Sequence, residues 1–317
     1  MDQFRPADGV YHPGKRAGAI HRMRLENAVR KAAGSRLNLR YFGGRTWQAM
    51  TFVNLYAGGD SAWDASDRSA VDHALGAAMS DAGLNNMLAQ YFGGTAPTTV
   101  MLPSVVLPEQ CPARVGKDTV EGWVTAMSTA GQLPEAALAS TMYCFMLPRG
   151  IILSDGPASG GATRPATEIG EHDAADSTSG LGGYHGSVHV GGNTVYYAVG
   201  VYSDATNGIN GFPDASWKNI CATFYHELNE ARTDPDVEDA ANAASGGDHY
   251  LGWYSLKGGE IGDIPMDEAG THLSTVMTEV PLADGSGDVP IQLMWSNAAG
   301  APQGPVDHPL QPTKARG

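Results

Sequence analysis

The run His226-Glu227-Leu228-Asn229-Glu230 sets one imidazole and two carboxylates within five residues. On a helix, side chains four apart lie one turn above each other, so His226 and Glu230 can grip one cation while Glu227 points alongside to hold a water. This is the spacing of a HExxH metallohydrolase helix with Glu in place of the second His. A zinc ion held by imidazole and carboxylate, with one position open, brings the pKa of bound water toward neutrality, and a neighbouring carboxylate takes the proton during attack on a carbonyl. An added carboxylate ligand lowers the ion's Lewis acidity and admits calcium, manganese or iron as alternatives to zinc. Taken alone, the five residues are also compatible with a plainer arrangement, a solvated helix face carrying an intrahelical His–Glu contact.

The element that must carry these residues is a helix over Trp217–Ala231. At about 100° per residue, Ile220, Cys221, Phe224, Leu228 and Ala231 gather on one third of its circumference, the face a core would take, while Thr223, His226, Glu227 and Glu230 fill a second arc. Upstream, Thr51–Tyr56 reads as a strand, Ser66–Met79 and Leu84–Tyr91 as helices, Thr98–Leu107 as a strand and Asp118–Ala130 as a helix. Thr141–Leu153 reads as one long strand or two broken at Pro148. Tyr184–Val190 and Thr194–Tyr202 pair through a Gly191-Gly192-Asn193 turn. Short strands follow near Tyr250–Leu256 and Val289–Trp295. The rhythm predicts an α/β fold, a single mixed-sheet sandwich domain over residues 35–298. Residues 154–183 are too polar to pack and form a long loop, lid or disordered insertion. Residues 299–317 are a Pro/Gly-rich tail.

Composition and charge bound the remaining choices. The chain has 317 residues, 42% of them hydrophobic, with a net charge of −14. Residues 1–45 hold ten Lys and Arg against three acidic residues, a balance of +7 that leaves −21 for the remainder. The basic N-terminal arm, residues 1–34 with a helix over Ala19–Ala33, is expected to fold back on the acidic body or to dock in trans, as a homo-oligomer contact or onto an acidic protein partner. No stretch has the roughly 18 unbroken apolar residues of a membrane helix, so no membrane span is expected. No P-loop, dinucleotide fingerprint or GxSxG elbow occurs, and nucleic acid is not expected as a partner. The first residues lack the apolar core of a secretory signal, and three cysteines at unrelated spacings make no disulfide framework, so a cytoplasmic or otherwise non-secretory setting is expected.

Further motifs surround the helix. His226-Glu-Leu-Asn-Glu-Ala-Arg-Thr-Asp-Pro235 is followed by Gly252-Trp253-Tyr254, by Gly258-Gly-Glu-Ile-Gly-Asp263 and by Gln292-Leu-Met-Trp-Ser-Asn297. Gly183-Tyr184-His185-Gly186 and Leu88-Ala89-Gln90-Tyr91-Phe92 precede it. Together these resemble the bacterial and fungal relatives of the EXORDIUM, or phosphate-induced protein, family over roughly residues 35–298. The resemblance supports His226 and Glu230 as metal ligands, Glu227 as general base, and Glu260 or Asp263 as the third protein ligand, brought in by the Gly258-Gly259 turn. It makes His185 a further candidate, as ligand or transition-state donor. Secreted relatives carry a cysteine after the Glu-Ile-Gly-Asp turn and another after Trp-Ser-Asn; here those places hold Ile264-Pro265 and Ala298-Ala299-Gly300, in keeping with the non-secretory expectation.

Thr233-Asp234-Pro235 reads as the helix stop, and Asp234, Asp236, Glu238 and Asp239 as a solvated acidic run. Trp253, Tyr254 and Trp295 read as aromatic core, with a substrate-binding wall as the alternative. The function expected from all of this is zinc-dependent hydrolysis of a peptide or related amide at a mononuclear site. The alternatives are a non-catalytic interaction or structural subunit that keeps a metal-stabilised or vestigial site and takes a polymer partner, and a glycan-binding module.

Overall fold

The structure, a computed structural model, describes residues 37–108, 111–134, 137–158, 176–243 and 246–307. The basic arm and its helix lie outside the described residues, as do the middle of the polar insertion and the end of the tail. At the centre are five principal strands: β1 (Ala49–Tyr56), β2 (Thr98–Met101), β3 (Thr141–Leu147), β4 (Gly183–Val190) and β5 (Asn193–Val201). Their order is β2-β1-β3-β5-β4, with Val105–Val106 as a sixth strand beside the end of β1. All neighbours run parallel except β4 and β5, which form an antiparallel hairpin. The hairpin turns on Gly191 and Gly192, whose φ of 58° and 82° put both central residues in the left-handed region that glycine alone enters without strain.

The alternation of side chains across this sheet sorts the core into two layers. Phe52, Tyr56, Met142, Cys144, Met146, Tyr196 and Ala198 face one side, where α1 (Ala65–Ser80) and α3 (Ser216–Thr233) pack. Val53, Leu55, Tyr143, Phe145, Leu147, Tyr197 and Val199 face the other, covered by Val120 and Val124 of α2 (Lys117–Thr129). Every residue of β3 is buried, as expected of an interior parallel strand covered on both faces. The short helices α4 (Val237–Asn242) and α5 (Asp263–Ala269) follow α3. A hairpin of β6 (Met277–Pro281) and β7 (Asp288–Gln292) lies against the outer layer, with Val280, Val289 and Ile291 joining the core of α1 and α3. The mixed-sheet α/β sandwich expected from the sequence is the observed architecture.

Several elements are shorter than expected. The strand over Thr98–Leu107 breaks around Pro103, because proline has no N–H to give the ladder, while Thr141–Leu153 is the expected alternative of two strands broken at Pro148, Thr141–Leu147 and Ile152–Leu153. Leu84–Tyr91 is a 3₁₀ helix over Asn86–Tyr91, entered through the Asp81 side chain, which accepts from the amides of Gly83 and Leu84. The described flanks of the polar insertion pack against the domain: Ser154 bridges Asp176, the Ser177 hydroxyl accepts from the Leu153 amide, and Ser177 and Leu181 are buried. The folded body also runs past residue 298, for Ala301–Gln303 pairs with Met294–Ser296 and Val306 is tied to the Asn86 side chain by both of its main-chain groups.

Candidate metal centre

α3 is buried almost all round from Asn219 to Thr233. Its apolar stripe meets the sheet and α1 as expected, but its polar arc is equally enclosed: His226 is 8% exposed, Glu227 4% and Glu230 3%. The solvated-face arrangement is therefore excluded. Ionisable groups tolerate such burial only when paired or ligated, and three further elements supply the surroundings. β4 brings His185, the turn entering α5 brings Glu260 and Asp263, and the end of β7 brings Gln292, all of them buried.

Two histidines organise the cluster in different ways. His226 Nδ1 lies 2.8 Å from Gln292 Oε1, and the Gln292 amide is oriented by donating to the Gly262 carbonyl at 2.7 Å. With its NH₂ so fixed, the Gln292 oxygen can only accept, so His226 Nδ1 carries a proton and Nε2 is the nitrogen turned inward. Nε2 meets Glu230 Oε1 at 3.0 Å. Two electron pairs at this distance repel unless a proton or a cation lies between them. Gly262 makes the approach feasible, since a Cβ there would sit 2.6 Å from His226 Nδ1; its amide donates to Glu230 Oε1 at 3.2 Å.

His185 instead lies among carboxylates. Its Nδ1 is 3.3 Å from Glu227 Oε2 and 3.9 Å from Glu230 Oε2, and its Nε2 is 3.5 Å from Glu260 Oε1. Burial works to lower its pKa, but the hydrogen bond and charge of Glu227, with Glu230 and Asp234 behind, outweigh it and raise the pKa above the ordinary histidine value. Glu227 thus lies between the two rings, its other oxygen 3.9 Å from His226 Nε2.

Two sets of three residues bring their ligand atoms within 4.8 Å of one another: His185, Glu227 and Glu230, and His226, Glu230 and Asp263. The buried group can hold a metal ion. Its charge favours one, because the four buried carboxylates of Glu227, Glu230, Glu260 and Asp263 outnumber the two imidazoles even when both are protonated. All six residues picked from the sequence are brought together, with Asp263 on the His226 side and Glu260 against His185. The cluster lines a cavity of about 300 Å³ whose wall also includes Leu181, Ile209, Val237 and Met277, with Lys117 and Asp155 as further polar lining.

Gln292, which fixes the tautomer of His226, is the functional residue that the sequence left without a role. It stands 66 residues from its partner, and its only signal was membership of the Gln-x-x-Trp-Ser-Asn segment. The acidic run after α3 needs correction: Asp234, Asp236 and Glu238 are buried, not solvated. Asp234 ends the helix and accepts from the Gly252 amide at 2.8 Å, Asp236 accepts from Tyr196 and pairs with Arg45, and Glu238 pairs with Lys117. Desolvation pushes the Asp234 pKa up to about 8, although the Gly252 amide and His185 work to lower it. Tyr254 and Trp295 are core, and Trp253 is half-buried, so the aromatic-core reading holds for the first two.

The scattered motifs turn out to be neighbours. Gln90 and Tyr91 bond to Ser296 and to the main chain of Trp295, Asn297 and Ala298, while the Trp253 indole donates to the Tyr91 carbonyl. Among the described residues no helix is long and apolar enough to cross a membrane, and Cys111, Cys144 and Cys221 are all free thiols. No family model, no curated protein and no solved structure matches this chain.

Proposed function

We propose that this chain is a metal-dependent hydrolase of peptide or related amide bonds, with zinc as the metal, of the kind its resemblance to the bacterial and fungal EXORDIUM relatives suggests. The observation that carries the reading is the inward Nε2 of His226, its ring held through Nδ1 by Gln292, 3.0 Å from Glu230 Oε1 inside a carboxylate-rich cavity. His226, Glu230 and Asp263 would hold the ion, with Gln292 keeping the proton on Nδ1 and the ring correctly turned. Bound there, zinc supplies Lewis acidity and a water acidified toward neutral pH. His185 is the poorer ligand, since carboxylates on both sides favour its protonated form.

Glu227 acts as the general base. His185 holds it by one oxygen, and the other faces His226 and the cavity. It takes the proton of the attacking water and returns it to the departing amine nitrogen. His185, protonated, steadies that carboxylate and the negative charge that develops on the carbonyl oxygen. Glu260, against the other nitrogen of His185, keeps the ring charged. The test is Glu227→Gln: it should retain the metal while losing activity by about 10² to 10⁴, read by metal analysis and by cleavage of a peptide pool. Equal activity in the two proteins removes Glu227 from the reaction. Metal without cleavage in either favours the non-catalytic subunit, in which the basic arm of residues 1–34 would provide the docking element.

A further inference from the structure

We infer that the substrate is an extended polypeptide segment that binds by adding a strand to the first half of β4, which sets its main chain beside the metal cluster. The inference rests on the reading of that cluster as an amide hydrolase and adds how the amide is presented. β4 is an edge of the central sheet, paired on one side only, with β5. Its register matches Gly183 with Gly200 and His185 with Ala198, and just ahead of the strand the Val201 amide donates to the Gly182 carbonyl at 3.0 Å. Main-chain groups alternate in direction along a strand, so those of Gly182, Tyr184 and Gly186 point to β5, and those of Gly183, His185 and Ser187 point outward. The Ser187 amide keeps this phase: it donates outward, at 3.0 Å, to Glu238 Oε2.

The edge is capped at Ser187. There the chain itself takes the outward amide, with Glu238 of α4 accepting from it and Lys117 paired to Glu238. Proteins close their sheet edges in this way against unwanted pairing. Among the described residues, the outward main-chain groups of Gly183 and His185 have no hydrogen-bond partner. Both residues line the 300 Å³ cavity, and the His185 side chain reaches Glu227 from the same strand. A peptide paired here would present alternate side chains to the apolar wall of Leu181, Ile209, Val237 and Met277. The cavity is at the small end of ligand pockets, with room for a short stretch of main chain and not for a folded surface. Strand addition draws affinity from main-chain hydrogen bonds, which suits a substrate recognised by its backbone.

The test uses the full chain carrying Glu227→Gln, so that binding is read without turnover, and wild-type chain in chelator as a second preparation. A labelled octapeptide pool is screened by fluorescence anisotropy, and the best binder is remade with a single N-methyl group at each position in turn. Loss of a main-chain donor should weaken binding about tenfold at alternate residues and leave the residues between unchanged. The Gly183 and His185 amides should exchange more slowly with the peptide bound. An even response to N-methylation, or no binding of any octapeptide to either preparation, overturns the inference. Period-two binding without cleavage by the wild type leaves strand addition standing and removes the hydrolase; cleavage without period-two binding does the reverse.

Discussion

Gln292 makes no contact that its own sequence neighbourhood would suggest, yet it decides which nitrogen of His226 is available. Substituting such a supporting residue usually costs a metal site 10- to 100-fold in affinity. Gln292→Leu should therefore weaken zinc binding by about that factor, measured by competition with a chromophoric chelator; unchanged affinity would show that the amide does not set the tautomer. Asp234 allows a second test. Its folded pKa of about 8 lies above the value of about 3.9 it has when unfolded, so between those values the native state binds a proton that the unfolded chain does not. Stability then falls as pH rises from about 4 to about 8. Asp234→Asn keeps an acceptor for the Gly252 amide and removes the titration, so the melting temperature of the metal-free variant should slope less with pH over that window than that of the wild type. Parallel slopes would mean that Asp234 is ionised throughout.

At the scale of elements, α3 both carries His226, Glu227 and Glu230 of the cluster and holds the outer layer onto the sheet. Phe224 is fully buried, with its ring against β5 so closely that a Cβ on Gly200 would lie 2.9 Å from it. Phe224→Ala should cost about 3–5 kcal/mol by urea denaturation, and a loss below 1 kcal/mol would mean that the helix is anchored from its polar side. The apolar stripe of this helix was legible from its 3.6-residue period, because period reports which face meets a core. The burial of the other arc was not, since His226, Glu227 and Glu230 have the composition of a solvated face and are enclosed only by β4, β7 and the turn before α5. The same limit applies to Asp234, Asp236 and Glu238: four acids in six residues read as solvated, and the partners that bury them, Gly252, Tyr196, Arg45 and Lys117, come from elsewhere in the chain.

For the molecule as a whole, the core fills both faces of the sheet with apolar side chains, so the fold is expected to stand without a metal ion. Binding at 100 times the dissociation constant adds about 2.7 kcal/mol. Chelation should accordingly lower the melting temperature by several degrees and leave one cooperative transition, followed by near-ultraviolet circular dichroism. Loss of that transition would make the ion part of the fold. The asymmetry of charge, +7 over residues 1–45 and −21 over the rest, acts at the same scale and is screened by salt over about 8–10 Å.

By itself the sequence determined the principal strands and helices of the α/β sandwich up to α3, the hairpin at Gly191-Gly192 and the placing of His226, Glu227 and Glu230 on one arc of a helix. These are local properties, set by period, by turn chemistry and by side chains one helical turn apart. The tertiary structure alone decided that Asp263 stands with His226 while Glu260 stands with His185, that Gln292 fixes a tautomer from 66 residues away, and that one half of an edge strand opens into the cavity. Each of these depends on contacts between segments brought together by the burial of their apolar faces, and no spacing along the chain records which segments those will be.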